Sequence, residues 1–163
     1  MRKRIGIFGG SLFQDIKLEN GRYVTTKKQA SVKLSKNHDI DNFSFQGLTV
    51  SRSKNLIQNL IIKGMYDDCI LALGEADLDN SAQFQQDLLD IIDDLTAKNV
   101  RPLLVSLPSE LLQDEKACRI QDIIDKTAVT RNIDYIYEGS TTKMVSYVVL
   151  DDNDMSKAIL ELC

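Results

Sequence analysis

Tryptophan is absent from these 163 residues, histidine occurs once, and neither a long apolar run nor a block of like charge is present. Each shortage excludes something. A membrane-spanning helix needs about 18 or more consecutive apolar residues, and no stretch approaches that. The basic start Met1-Arg2-Lys3-Arg4 resembles the head of a secretory signal, but the apolar run behind it stops at Gly9-Gly10. Such a signal needs an apolar run of ~7–15 residues, so the expectation is a cytoplasmic protein. A net charge of −4 argues against a nucleic-acid partner, which usually leaves a basic stripe. The cysteines Cys69, Cys118 and Cys163 are odd in number and scattered, and form neither a disulfide framework nor a metal pattern. Cys69 and Cys118 read as small core residues and Cys163 as a bystander. No motif implies a cofactor or a metal.

What is present is an ordinary globular composition, 43% apolar and 27% charged. A single domain of this length buries roughly 68–70% of its unfolded surface, enough for a core without staples. The organising stretch is Arg4-Ile5-Gly6-Ile7-Phe8-Gly9-Gly10-Ser11, a short buried strand ending in a tight turn that presents a hydroxyl. Ser11 in that place is a candidate nucleophile or an anion contact. Asn20-Gly21 between partly alternating arms predicts a hairpin close to Ser11. Helices are expected over residues 26–37, from Ser51 or Ser53 as cap to Gly64, from Ser81 as cap through the stripe Phe84, Leu88, Ile91, Ile92 and Leu95, over 109–131, and over 153–162. Strands are expected at 39–45, 69–73, 102–107 and 133–137, with a polar loop after 137. Asp87, Asp90, Asp93 and Asp94 read as a solvated helix face, and His38 as a partly exposed residue at the amino edge.

Strand and helix thus alternate through one α/β domain covering residues 1–163. The expected fold is a three-layer α/β/α sandwich, flavodoxin-like, with a five-stranded parallel sheet and right-handed connections. In such sheets the site lies beyond the carboxyl ends of the strands. Ser11, Gly47, the segment Gly74 to Asp77, Ser106 to Pro108 and the 138–152 loop should gather there. Each has a plainer reading. Gly9, Gly10, Gly47 and Gly74 suit any tight turn, and Asp77 suits the binding of loop amides.

In order and spacing these residues resemble the SGNH/GDSL hydrolase superfamily of esterases, lipases and carbohydrate deacetylases. Gly9-Gly10-Ser11 matches that family's Gly-Asp-Ser, whose serine is the nucleophile. Gly47 matches the glycine whose N–H enters the oxyanion hole, and Gly74-Glu75-Ala76-Asp77 matches Gly-x-Asn-Asp. The family's last motif, Asp-x-x-His, has no histidine here. One register puts Tyr147 and Leu150 on it, and a shift of four puts Asp151 and Asp154 there. Asp151, Asp152 and Asp154 are then the base candidates, with Glu75 and Asp77 also within range of the serine end. Gly10 replaces the family's aspartate and Ala76 its oxyanion asparagine.

The resemblance implies a catalytically impaired member that binds a small acyl- or acetyl-bearing ligand, carbohydrate or lipid-like, or a partner, at the carboxyl edge. The second reading is an active carboxylic-ester hydrolase using Ser11 with a non-standard base. The third is a phosphate- or nucleotide-binding flavodoxin-like domain, for which neither G-x-G-x-x-G nor a Gly-Lys-Ser/Thr loop is present. A homo-oligomer is compatible with all three, and within the second it is the arrangement that would bring His38 of another copy to Ser11.

Overall fold

The computed structural model describes residues 2–10, 13, 16–25, 34–137 and 147–149. Most of the helix expected over 26–37 and all of that expected over 153–162 lie outside the described residues. Six parallel strands form the main sheet in the order β4-β1-β5-β6-β7-β8. They are β1 (Arg4–Gly9), β4 (Asp39–Asn42), β5 (Asp68–Ala72), β6 (Arg101–Val105), β7 (Asp134–Tyr137) and β8 (Tyr147–Val149). The first five are the strands expected from sequence. β8 adds a sixth within the segment read as polar loop, where the β-favouring Tyr147-Val148-Val149 pairs with Tyr135–Tyr137. β2 (Ile16–Glu19) and β3 (Arg22–Thr25) form the expected hairpin. Asn20 and Gly21 both take positive φ, 50° and 74°, as a two-residue primed turn requires.

Apolar residues continue along β1 and β5 because both faces of these strands are covered. Phe8, Leu71, Leu104 and Tyr135 point to one face and pack with α1 (Val50–Leu60), α2 (Ser81–Ala97) and α3 (Glu115–Arg131). Ile5, Ile7, Ile70, Leu103, Val105 and Ile136 fill the other face with Phe13 and Leu34. The buried stripe of α2 is Phe84, Leu88, Ile91, Ile92 and Leu95, as its spacing predicts.

Several local expectations are corrected. Thr49, not Ser51 or Ser53, caps α1, its side chain accepting from the Arg52 N–H. Asn80 precedes α2, so Ser81 is its first residue rather than its cap. The expected 109–131 helix divides into a 3-10 turn (Ser109–Leu111) and α3, which starts behind the cap Asp114. Cys69 is buried, whereas Cys118 is exposed. The inner stripe of α3 runs through Ala117, Ile120, Gln121 and Ile124, and position 118 falls off it.

Asp87 is also not solvated. It is 3% exposed and accepts bonds from Ser51 Oγ (2.6 Å), Gln83 Nε2 (3.0 Å) and Lys54 Nζ (3.2 Å). Burial alone would raise its pKa, but these donors outweigh burial and hold the carboxyl below its ordinary value. Asp90, Asp93 and Asp94 are ion-paired to Lys54, Arg131 and Lys98. The acidic face of α2 is therefore a set of ties to α1, α3 and its own last turn.

Asp77 caps the start of α1 from outside, accepting the Val50 N–H at 3.1 and 3.3 Å. Burial raises its pKa above the ordinary carboxylate value, the Val50 N–H opposes the rise, and the charge of Asp87 adds to it. A raised acid pKa means that stability falls as pH climbs from the unfolded value, ~3.9, through the folded one. Asp77→Asn keeps an acceptor for Val50 but cannot ionise. Its stability relative to wild type should improve across that window in thermal unfolding followed from pH 3 to pH 7. An unchanged gap would refute the assignment.

Gly74 lies at φ +117°, and a Cβ there would sit 2.6 Å from Ile120 Cγ2 on α3. Gly74→Ala is expected to cost roughly 2 kcal/mol or more in urea unfolding, with the slope unchanged. A cost within the range of neutral surface changes would contradict the packing described.

Candidate functional site at the carboxyl edge

β1 delivers Gly9 and Gly10 to the carboxyl edge between the ends of β4 and β5. The Phe45 N–H donates to Gly9 O (3.1 Å), which fastens the loop after β4 to the end of β1. At Gly9 a Cβ would lie within 3.1–3.3 Å of Ala72, Phe13 and Ser44 Oγ. At Gly10 it would lie 2.5 Å from Glu75 Oε2. Glycine at 10 is thus matched to a carboxylate arriving from the loop after β5. The Phe13 N–H donates to Gly10 O (3.3 Å), and Asn42 Nδ2 donates to Phe13 O (2.8 Å). Ser11, between Gly10 and Phe13 in sequence, lies outside the described residues, as do Asp151, Asp152 and Asp154.

Of the remaining expected residues, Gly47 follows β4, Gly74 to Asp77 follow β5 and Ser106 to Pro108 follow β6, while most of the 138–152 loop lies outside the described residues. Gly47 is exposed in the loop from β4 to α1, at φ +85° with open space around its Cβ position, so backbone conformation is what calls for glycine there. Gly74 is held by its packing against α3. Ala76 is exposed and supplies no side-chain donor. Asp77 is committed to the Val50 N–H, the structural role that its sequence position already suggested.

Two groups complete the picture. Glu75, half-buried, brings its carboxylate against Gly10. Ser44 Oγ is buried beside Gly9 with no hydrogen-bond partner among the described residues, while its own N–H donates to Asn42 Oδ1 (3.0 Å). Ser44 was hidden inside an apparent strand, and its only sequence signal is a small polar residue between Phe43 and Phe45.

His38 sits at the opposite, amino edge, where its Nδ1 accepts the Lys3 N–H at 3.3 Å. It is 6% exposed, more buried than its sequence surroundings suggested. On the other side of β1, Asp68, 2% exposed, accepts from Lys3 Nζ (3.1 Å) and Arg101 Nε (2.8 Å). Burial pushes the Asp68 pKa up, and the Arg101 and Lys3 bonds outweigh it, leaving it below the ordinary value. A cavity of about 320 Å³ opens on this edge between Ile92, Arg101, Arg131 and Asp134. Its arginines are already paired, Arg101 with Asp68 and Asp134 and Arg131 with Asp93, so it offers no free cation. Among the described residues no cluster of His, Cys, Asp and Glu is arranged to hold a metal, and no helix is long and apolar enough to cross a membrane.

No protein-family model matches the chain, and no curated protein does. Solved structures do. AlinE4, an SGNH-hydrolase family esterase, superposes with a TM-score of 0.65 at 21% identity, over 83% of this chain and 75% of its own. The psychrotrophic esterase EstA from Pseudoalteromonas gives 0.63 at 15% identity, over 82% and 76%. A GDSL-like lipase from Bacteroides thetaiotaomicron gives 0.64 at 13% identity, over 98% and 87%. Over most of its length the chain has the fold of the SGNH/GDSL hydrolases.

Proposed function

We propose that this chain binds a small acyl- or acetyl-bearing molecule at the carboxyl edge of its sheet, without serine–histidine hydrolysis. The observation that carries this reading is the position of His38. It is the only imidazole in the 163 residues, and it is bonded to the backbone of Lys3 ahead of β1. A strand of six residues spans ~20 Å, so β1 separates His38 from Gly10 by about that distance. A serine hydroxyl without a positioned base is a weak nucleophile. Ala76 adds to the deficit, since losing one oxyanion donor costs on the order of 10²–10³ in rate. What remains is a glycine-rich edge suited to close approach by a ligand.

One observation favours a second reading, slow ester hydrolysis at Ser11. The Glu75 carboxylate lies against Gly10, next in sequence to that serine. An ordinary carboxylate, with a pKa of ~4, is poorly matched to a hydroxyl, so such catalysis would be feeble.

A fluorophosphonate probe separates the two. Under the binding reading Ser11 is not labelled, and p-nitrophenyl acetate turnover stays within about twofold of Ser11→Ala. Labelling that Ser11→Ala abolishes would overturn it. The acid limb of the pH profile would then tell a carboxylate base from an imidazole one, since ordinary carboxylates titrate near ~4 and ordinary imidazoles near ~6.5.

A further inference from the structure

We infer that the exposed pair Phe45 and Arg52 makes this edge select an acyl ligand that carries a carboxylate. The inference rests on the acyl-binding reading above and names the chemistry of its ligand. Three features lead to it.

The first is Phe45. Among the described residues the large exposed apolar side chains are Phe45, Leu60, Ile62 and Val129. α1 and α3 each run back from the carboxyl edge, so Leu60, Ile62 and Val129 stand toward the amino edge. Phe45, 39% exposed, is the one left at the carboxyl edge. Its backbone is fixed there on both sides, the N–H donating to Gly9 O and the C=O accepting the Leu48 N–H at 3.2 Å. Phe43, two residues earlier, stacks on the buried Phe8 with ring centroids 4.8 Å apart. One phenylalanine of this loop thus serves the core, and the other offers an apolar surface to a ligand.

The second is Arg52, which is exposed. Its guanidinium lies over the Phe45 ring, 5.9 Å from the centroid, and enters no ion pair among the described residues. The neighbouring cations are spent, Lys54 on Asp87 and Asp90 and Lys116 on Asp79. Of the carboxylates at this edge, Asp77 takes the Val50 N–H and Glu75 lies against Gly10. A guanidinium resting by one face on a ring keeps its N–H donors in its own plane, where a carboxylate can take two of them.

The third is what Arg52 does not do for the fold. It stands in the first turn of α1, where no acidic residue offsets it. A cation at that end of a helix opposes the helix dipole. Two amides of the turn are already occupied, the Val50 N–H by Asp77 and the Arg52 N–H by Thr49 Oγ1 at 3.2 Å. Recognition therefore falls to the ring and the guanidinium rather than to the helix end. A cation set against the dipole, with no carboxylate of the described chain beside it, is matched by an anion from outside.

The test uses sodium hexanoate, the isosteric hexanamide and sodium acetate on the full chain at matched low ionic strength. Binding is followed through the backbone amides of Phe45 and Gly47 by ¹⁵N NMR. Hexanoate should bind roughly threefold or more tightly than hexanamide, the scale of an exposed guanidinium–carboxylate pair. It should also bind more tightly than acetate, which has no chain to lay on the ring. Arg52→Gln should bring hexanoate and hexanamide within about twofold, and Phe45→Ala should narrow the gap between hexanoate and acetate. Both side chains are exposed, so the amides of α2 should stay in place in either variant. Equal or tighter binding of hexanamide by wild type would overturn the inference and leave acyl binding standing. A hexanoate preference that survives Arg52→Gln would overturn the role of Arg52, and an unchanged gap to acetate in Phe45→Ala that of Phe45. If neither hexanoate nor hexanamide moves these amides, the acyl-binding reading fails and the inference falls with it.

Discussion

β1 is bonded to β4 on one side and β5 on the other, with Ile5, Ile7 and Phe8 fully buried between them. Both neighbours come later in the chain, so the sheet grows outward from β1 in two directions. A parallel sheet opens a crevice where its order reverses in this way, outside the carboxyl ends of the strands. The loops after β4 and β5 are forced to meet over Gly9 and Gly10. Every feature of the candidate site follows from that placement, including the Ser44 hydroxyl from the β4 side and the Glu75 carboxylate from the β5 side.

The two edges of the sheet are put to different uses. The amino edge is clamped by charge, with Asp68 gripped by Lys3 and Arg101, and Arg101 reaching on to Asp134. His38 is part of that clamp through the Lys3 backbone. The carboxyl edge carries glycines, an exposed alanine and carboxylates. Asp77 serves the fold by capping α1, and Gly74 serves it by admitting Ile120 of α3. Gly47 and Ala76 are exposed there, and Glu75 is half-buried.

Much of the fold was legible because its signals are local or periodic. Continuous apolar runs marked β1 and β5, Asn20-Gly21 marked the hairpin, and the spacing of Phe84 to Leu95 marked α2. What escaped depends on neighbours distant in sequence. Asp87 looks like a solvated acid until Lys54 and Ser51 of α1 arrive beside it. Cys118 looks apolar until the inner stripe of α3 is seen to pass through Ala117. Three residues at an edge, Tyr147–Val149, become a strand only by pairing with β7. In the site, Gly47, Gly74 and Asp77 were legible by their order after successive strands. The contact of Glu75 with Gly10 was not, since it joins loops 65 residues apart.

The central claim is that the chain's imidazole belongs to the amino-edge clamp and not to chemistry at the end of β1. His38→Asn tests it most directly, since the asparagine Oδ1 can still accept the Lys3 N–H while the proton-transfer capacity is removed. Turnover of p-nitrophenyl acetate should be unchanged within about twofold. A loss of a hundredfold or more, the scale on which general-base catalysis works, would place the imidazole at the reacting serine and contradict the account.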